Sequence, residues 1–244
     1  MGVVMLLESA RQINPKIKIY HASTSELYGN VGEIHSNKKV SLNEKDVFWP
    51  VSPYATAKLY SYHQVRIYRE AYGMFAVNGI LFNHESPLRG LEFVTRKVSN
   101  ALARIKLGLQ DKVRLGNLEA KRDWGYAPEH VQAMWLMLQQ PKPDDFVIAT
   151  GETHSIREFL QSACEYLDLS PNDVLVQDRK FLRPLDVNYL CGNASKARKI
   201  LGWRPKTSFK ELVKVMVQKD LQRWQDHLKG KIFPWDAIND PEAY

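Results

Sequence analysis

Strand-like runs alternate with helices whose starts and stops are written into the chain, and this order confines it to a parallel α/β architecture. Lys16 to Ala22 (K-I-K-I-Y-H-A) alternates as a strand does, after a helical stretch over residues 2 to 13. Ser52 then caps a helix that has Pro53 at its first position and Gly73 as its stop. Phe75 to Phe82 (F-A-V-N-G-I-L-F) reads as a buried strand. Further on come a helix over Phe93 to Leu107 whose polar face carries Arg96, Lys97 and Arg104, and another opened by Pro128 and closed by Pro141. Phe146 to Thr150 is a short strand expected to return to the first sheet. Ser155 to Glu158 and Ser208 to Glu211 are capping boxes, Asn193 is set to cap a short helix stopped by Gly202, and Gly230 ends the last helix.

The helix that begins at Pro53 carries Tyr54 and Lys58, one turn apart and therefore on one face. An ammonium beside a phenol, at the positive end of a helix, favours the phenolate and makes the tyrosine a usable base. Upstream lies Ser23-Thr24-Ser25-Glu26, a turn-like run directly after a strand. Taken alone, Y-x-x-x-K matches many ordinary exposed helix faces, and a Ser/Thr run after a strand is often only a turn.

Composition narrows the function classes. The chain has 244 residues, enough for one large domain or two small ones, and shows neither an apolar run long enough to span a bilayer nor a secretory leader pattern. A cytoplasmic protein is therefore expected. Its two cysteines, Cys164 and Cys191, form neither a disulfide framework nor a metal spacing, and are read as small buried hydrophobes. The formal net charge of +7 suits a polyanionic partner. Nucleic acid is one such partner and a nucleotide sugar another, and no basic block of five or six residues marks nucleic-acid binding.

Five stretches make the reading specific: S-T-S-E-L-Y-G (23 to 29), S-P-Y-x-x-A-K (52 to 58), G-I-L-F-N-H-E-S-P-L-R-G (79 to 90), F-V-T-R-K (93 to 97) and L-G-N-L-E-A-K-R-D-W-G (115 to 125). With F-L-R-P (181 to 184) and L-G-W-R-P (201 to 205), they resemble the GDP-mannose 4,6-dehydratases of the extended short-chain dehydrogenase/reductase family. The resemblance implies a partial NAD(P)-binding Rossmann-like parallel sheet with a smaller, mostly helical substrate-binding domain. Residues 1–85 would be the later part of the dinucleotide-binding domain, with 124–150 returning to its sheet. Residues 86–123 and 151–230 would bind the nucleotide sugar, and 231–244 would be a loose tail.

The same resemblance implies NADP as cofactor, GDP-mannose as substrate and an oligomer, either of this chain or with a full-length dehydratase subunit. Thr24, Glu26, Tyr54 and Lys58 fall on the family's catalytic positions. Tyr54, Lys58, Asn83, His84 and Arg89 match those that hold the cofactor. Asn83, Val94, Lys97, Leu115, Gly116, Arg122, Arg183 and Asp186 match those that hold the nucleotide sugar. A related epimerase or reductase shares Tyr54 and Lys58 but has no use for a base at C5 paired with loss of the C6 hydroxyl, so it leaves Glu26 unexplained.

The chain also departs from the family. No G-x-x-G-x-x-G or G-x-G-x-x-G precedes the first helix, so the usual cradle for the cofactor pyrophosphate is not found in it. Strand Lys16 to Ala22 is then expected to have an unpaired edge. The segment Asn30 to Pro50 is longer than usual, Asp186 stands where the family has Glu, and Leu88 replaces the first of two adjacent arginines. A non-catalytic subunit that retains the GDP-sugar pocket or assembles with a full-length dehydratase is the alternative reading.

Overall fold

In the computed structural model, which describes residues 1–31, 40–181 and 187–231, the strand and helix signals resolve in the order expected. Helix α1 (Gly2–Ile13), strand β1 (Ile19–Ala22), helix α2 (Pro53–Tyr72) and strands β2 (Ala76–Leu81) and β3 (Asn83–Glu85) come first. They are followed by α3 (Val94–Lys106), β4 (Val113–Leu115), β5 (Lys121–Arg122), β6 (Trp124–Tyr126), α4 (Ala127–Leu138) and β7 (Asp145–Ile148). The chain continues through β8 (His154–Ser155), α5 (Ile156–Leu167), α6 (Pro171–Val174), β9 (Leu175–Gln177), β10 (Tyr189–Leu190), α7 (Ser195–Ile200) and α8 (Phe209–Leu228). The expected tail lies almost wholly outside the described residues.

Two compact units share these elements. The first comprises residues 1–84, 120–154 and 184–207, the second 85–119, 155–183 and 208–244. In the first, β2 is the middle strand of a parallel sheet ordered β1-β2-β7, and all six of its residues are buried. Its sequence, A-V-N-G-I-L, is apolar on both faces save for Asn78, as a strand covered on both sides requires. Residues 187–207, expected with the nucleotide-sugar part, pack in the first unit. Strand β10 pairs in parallel with β5, and Leu190, Ala194, Ala197, Leu201 and Trp203 join the core built on Ile80, Phe82 and Phe146.

Helix α2 begins and ends as its sequence dictates. The Ser52 hydroxyl accepts the Ala55 N–H at 3.1 Å, Pro53 occupies the first turn, and Gly73 closes the helix with φ +65°, a left-handed conformation that glycine adopts without strain. On the flank of the sheet, α1 and α2 enclose Leu7, Ile19, Val65, Tyr68, Met74 and Ala76. The outer edge of β1 has no strand partner among the described residues.

The second unit packs α3 against α5 and α8 and adds the parallel pair β4 and β9. Both capping boxes form, at Ser155 with Glu158 and at Ser208 with Glu211. Arg96, expected on a polar face with Lys97 and Arg104, is instead only 4% exposed. Asp220 of α8 faces it and takes Arg96 Nε at 2.8 and 2.9 Å, while Arg96 Nη1 donates to the carbonyls of Pro87 and Arg89, both at 2.9 Å. Helical periodicity marks which side of α3 is polar; it does not show that a second helix brings a carboxylate to that side.

Candidate active site

The first unit gathers four of the expected residues at the C-terminal end of β1. The last rung of the β1–β2 pairing is the Ser23 N–H on the Gly79 carbonyl at 3.0 Å, after which the chain leaves the sheet. Thr24 is extended, and its hydroxyl accepts the Glu26 N–H at 3.2 Å, capping a 3-10 turn over Ser25–Tyr28. Gly29 ends that turn at φ +53°, packed so closely on the Trp49 carbonyl that a Cβ has no room. The turn is thereby held at both ends, and Thr24 and Glu26 sit half-buried within it.

Tyr54 lies in the first turn of α2 and is 56% exposed. Lys58, one turn later, is half-buried; its Nζ lies 5.8 Å from the Tyr54 ring centre and donates to the Ala22 carbonyl at 2.7 Å. Burial pushes the Lys58 ammonium below its ordinary pKa. Tyr54, Lys58, Ala22 and His21 line a groove of about 1170 Å3 that continues along α1 and the outer edge of β1.

Beyond β2, the Asn83 Oδ1 is buried with no hydrogen-bond partner among the described residues. His84 is fixed by its Nδ1 contact to the Phe82 carbonyl at 2.9 Å and stacks on His130 at 4.8 Å between ring centres. Burial, with the neighbouring His84 second, pushes the His130 imidazole down to about 3, so that ring is neutral across the physiological range. No sequence motif pointed to His130; its signal lies in Gly125, where a Cβ would collide with the His130 ring. Arg122 sits half-buried in β5 opposite Leu190, its Nη1 on the Lys121 carbonyl at 3.0 Å.

The remaining expected residues that the structure describes belong to the second unit. Arg89 lies 3.6 Å over the Phe93 ring and pairs with buried Glu85 at 3.3 Å. Val94 opens α3, and one turn on, the Lys97 ammonium lies 3.6 Å over the ring of Phe181. Gly116 follows β4 and packs on the Phe181 carbonyl so tightly that only glycine fits; the Gln177 amide donates to the Gly116 carbonyl at 3.2 Å. The Leu115 side chain is buried, and its carbonyl accepts the Asp178 N–H at 2.8 Å. Phe181 therefore joins Lys97, Leu115 and Gly116 in one cluster, a role visible in the sequence only as the first letter of F-L-R-P. Arg183 and Asp186 lie outside the described residues.

The family model for GDP-mannose 4,6 dehydratase matches residues 1–216. The chain is 49% identical over 225 residues to GDP-mannose 4,6 dehydratase 1 of Arabidopsis thaliana, covering 91% of this chain and 60% of that one. It is 47% identical over 242 residues to the Homo sapiens GDP-mannose 4,6 dehydratase, covering 91% and 63%. The chain thus spans somewhat under two thirds of the length of these relatives. Among solved structures it resembles RMD from Pseudomonas aeruginosa complexed with NADPH, with a TM-score of 0.82 at 20% identity over 91% of this chain and 72% of that one. It also resembles the NAD complex of dTDP-glucose 4,6-dehydratase from Bacillus anthracis, with a TM-score of 0.80 at 22% identity over 92% and 68%. These two likenesses show a Rossmann-like α/β fold, and the family match goes further: the chain belongs to the GDP-mannose 4,6 dehydratase family.

Proposed function

We propose that the chain is the catalytic and sugar-binding part of a GDP-mannose 4,6-dehydratase, which converts GDP-mannose to GDP-4-keto-6-deoxymannose by internal hydride transfer. The observation that carries the reading is the convergence of Thr24, Glu26, Tyr54 and Lys58 on the end of β1 in a chain of this family. Tyr54 takes the proton of the C4 hydroxyl, and Thr24 hydrogen-bonds the same oxygen and aligns it. Lys58 steadies the phenolate and the cofactor ribose. Once C4 is a ketone, the hydrogen on C5 is acidic; Glu26 removes it and returns a proton to the departing C6 hydroxyl. NADP, when bound, supplies the hydride acceptor at C4 and the hydride donor at C6.

The residues present fit the nicotinamide and ribose end of that cofactor. Lys58 offers an ammonium, Tyr54 a hydroxyl, and Asn83 a buried carbonyl oxygen without a donor among the described residues. His84 and Arg89 complete the expected contacts. For the sugar nucleotide, Lys97 and Arg122, with Arg183, meet the diphosphate as cations. Val94, Leu115 and Gly116 line the nucleotide, and Asp186 takes a ribose hydroxyl. The protein acts in the cytoplasm as an oligomer.

The test is to incubate the purified chain with GDP-mannose and excess NADP and follow the 4-keto product, with Tyr54→Phe and Glu26→Gln alongside. Product formation that both variants reduce at least a hundredfold supports the reading. Turnover unaffected by either substitution overturns the assigned roles.

A second reading is favoured by the outer edge of β1, which has no strand partner among the described residues. In it, the chain retains the GDP-sugar site but works as a non-catalytic subunit of a full-length dehydratase. Co-elution with such a subunit on size-exclusion chromatography, with no product from the chain alone, supports it; separate elution excludes it.

A further inference from the structure

Three neighbouring strands of the first sheet each place one polar side chain at the same level. His21 of β1 is in register with Asn78 of β2, and Asn78 with Asp145 of β7. All three are buried. The His21 Nδ1 lies 2.8 Å from Asn78 Oδ1, and Asn78 Nδ2 donates to Asp145 Oδ1 at 2.9 Å. Asn78 Nδ2 also reaches the Tyr62 carbonyl at 3.3 Å, so its oxygen must face His21, and the imidazole must carry its proton on Nδ1.

The Asp145 end of this ladder is held by α2. Tyr62 Oη donates to Asp145 Oδ2 at 2.9 Å, and Arg69 grips the carboxylate with Nη1 on Oδ1 at 2.8 Å and Nη2 on Oδ2 at 3.0 Å. Arg69 Nη1 also reaches the Ala76 carbonyl of β2 at 3.1 Å. At 3.6 residues per turn, Lys58, Tyr62 and Arg69 fall within about 40° of one another around the helix. The two anchors and the active-site lysine therefore share one stripe. At the other end of the ladder, burial depresses the His21 imidazole, the Asn78 hydrogen bond opposes it, and the Lys58 charge adds a smaller push downward.

A buried polar set of this kind is a poor way to gain stability, because apolar residues of like volume often serve as well or better. What it supplies is directionality, since van der Waals packing alone lets a helix slide or roll over a flat apolar sheet at little cost. We propose that the His21–Asn78–Asp145 ladder, with Tyr62 and Arg69, is a positioning device that fixes the rotation and height of α2 over the sheet, and so sets Tyr54 and Lys58 at the end of β1. The inference rests on the reading of Tyr54 and Lys58 as working groups, but its test needs no turnover.

The test compares the native chain with an Arg69→Met/Asp145→Leu double variant, which removes both charges together and leaves no buried charge uncompensated, while the Tyr62 hydroxyl loses its acceptor. Stability is followed by urea denaturation. The Lys58 titration is followed by NMR on protein labelled at the lysine Cε, its signal assigned by disappearance in Lys58→Arg. Stability is expected to fall less than in Arg69→Met or Asp145→Leu alone, with the Lys58 pKa moved about half a unit or more toward its ordinary value as the helix loosens. His21→Gln, which keeps a donor for Asn78, should leave Lys58 as in the native chain, whereas His21→Leu should shift it. If the double variant does not fold, Tyr62→Phe, which deletes one oxygen, must still move Lys58 in the same direction. An unmoved Lys58 in the double variant, or in Tyr62→Phe where the double variant does not fold, overturns the proposal, whether or not the chain makes product.

Discussion

Each unit buries an aspartate against arginine, and the two are used differently. In the first unit, Asp145 lies in a strand and ties the sheet to the helix that carries Tyr54 and Lys58. In the second, Asp220 joins α8 to α3 through Arg96 and Ser99 and also takes Arg223 of its own helix, with the Pro87 carbonyl accepting from both arginines. Burial raises both carboxyls. At Asp145 the combined pull of Arg69, Asn78 and Tyr62 overcomes it and the pKa falls; at Asp220 burial prevails and the pKa rises. The same residue type thus gives opposite proton linkage. Stability from Asp145 is present above its unfolded pKa and lost as pH falls through its folded value, whereas stability from Asp220 is present at low pH and lost as pH rises through its folded value.

The largest effects come from breaking either pair on one side only. Asp145→Ala and Asp220→Ala should each cost about 3–5 kcal/mol, because each leaves a buried arginine uncompensated. The two separate in where the molecule opens. By hydrogen exchange, the first should deprotect α2 and the end of β1, and the second α3 and α8. Identical exchange maps would show that Asp145 is no more a device for α2 than Asp220 is.

Acid sharpens the comparison. His130 in the first unit has its folded pKa pushed from 6.5 to about 3, so below pH 6.5 the unfolded chain takes a proton that the folded chain refuses. The slope should approach about 1.4 kcal/mol per pH unit, for a loss of about 2 kcal/mol between pH 6.5 and 4.5. Asp123 and Glu44 in the same unit are raised by burial and lean the other way, so the measurement is the difference between native chain and His130→Gln. A difference that does not change with pH would mean that His130 is already charged in the fold.

Glu85 in the second unit is the mirror image. Burial raises its pKa from 4.5 to about 6 against the pull of Arg89 and the Thr95 hydroxyl at 2.6 Å. A raised carboxyl stabilises at low pH and loses that contribution as pH climbs through 6, by about 2 kcal/mol in total. Glu85→Gln should therefore gain stability relative to the native chain as pH goes from 4.5 to 7. A constant offset over that range would refute the assignment.

The two units were also unequally legible. Helix α2 could be read to the residue because its signals are local: a serine cap, a proline in the first turn, a left-handed glycine. Strand β2 was visible as an apolar run, and the four catalytic candidates were found by motif. The ladder was hidden, since His21, Asn78 and Asp145 are far apart in sequence and become neighbours only through parallel register, which no local pattern records. Arg96 was misplaced for the same reason: its partner lies 124 residues away. His130 and Phe181 escaped because a stacked histidine and a ring beneath a lysine are properties of packing, not of spacing.

The smallest effect tests whether a cap in the first unit does more than a cap in the second. Ser52→Ala and Ser208→Ala each remove a hydroxyl that accepts a first-turn N–H, at 3.1 Å for Ala55 and 3.4 Å for Glu211, and each should cost about 1 kcal/mol. Ser208 also donates to Glu211 Oε2 at 2.7 Å, so its loss should be no smaller in a denaturation curve. Yet Ser52 stands two residues before Tyr54, and the turn it caps is the one that carries the phenol toward the end of β1. Fraying there should speed amide exchange at residues 55–58 and, under the reading above, lower turnover more than Ser208→Ala does at equal loss of stability. If the first-turn amides of Ser52→Ala stay protected, the fixed φ of Pro53 and the anchors at Tyr62 and Arg69 are sufficient to start the helix. In that event the placement of Tyr54 is set from within α2 and from the sheet below it, not from its cap.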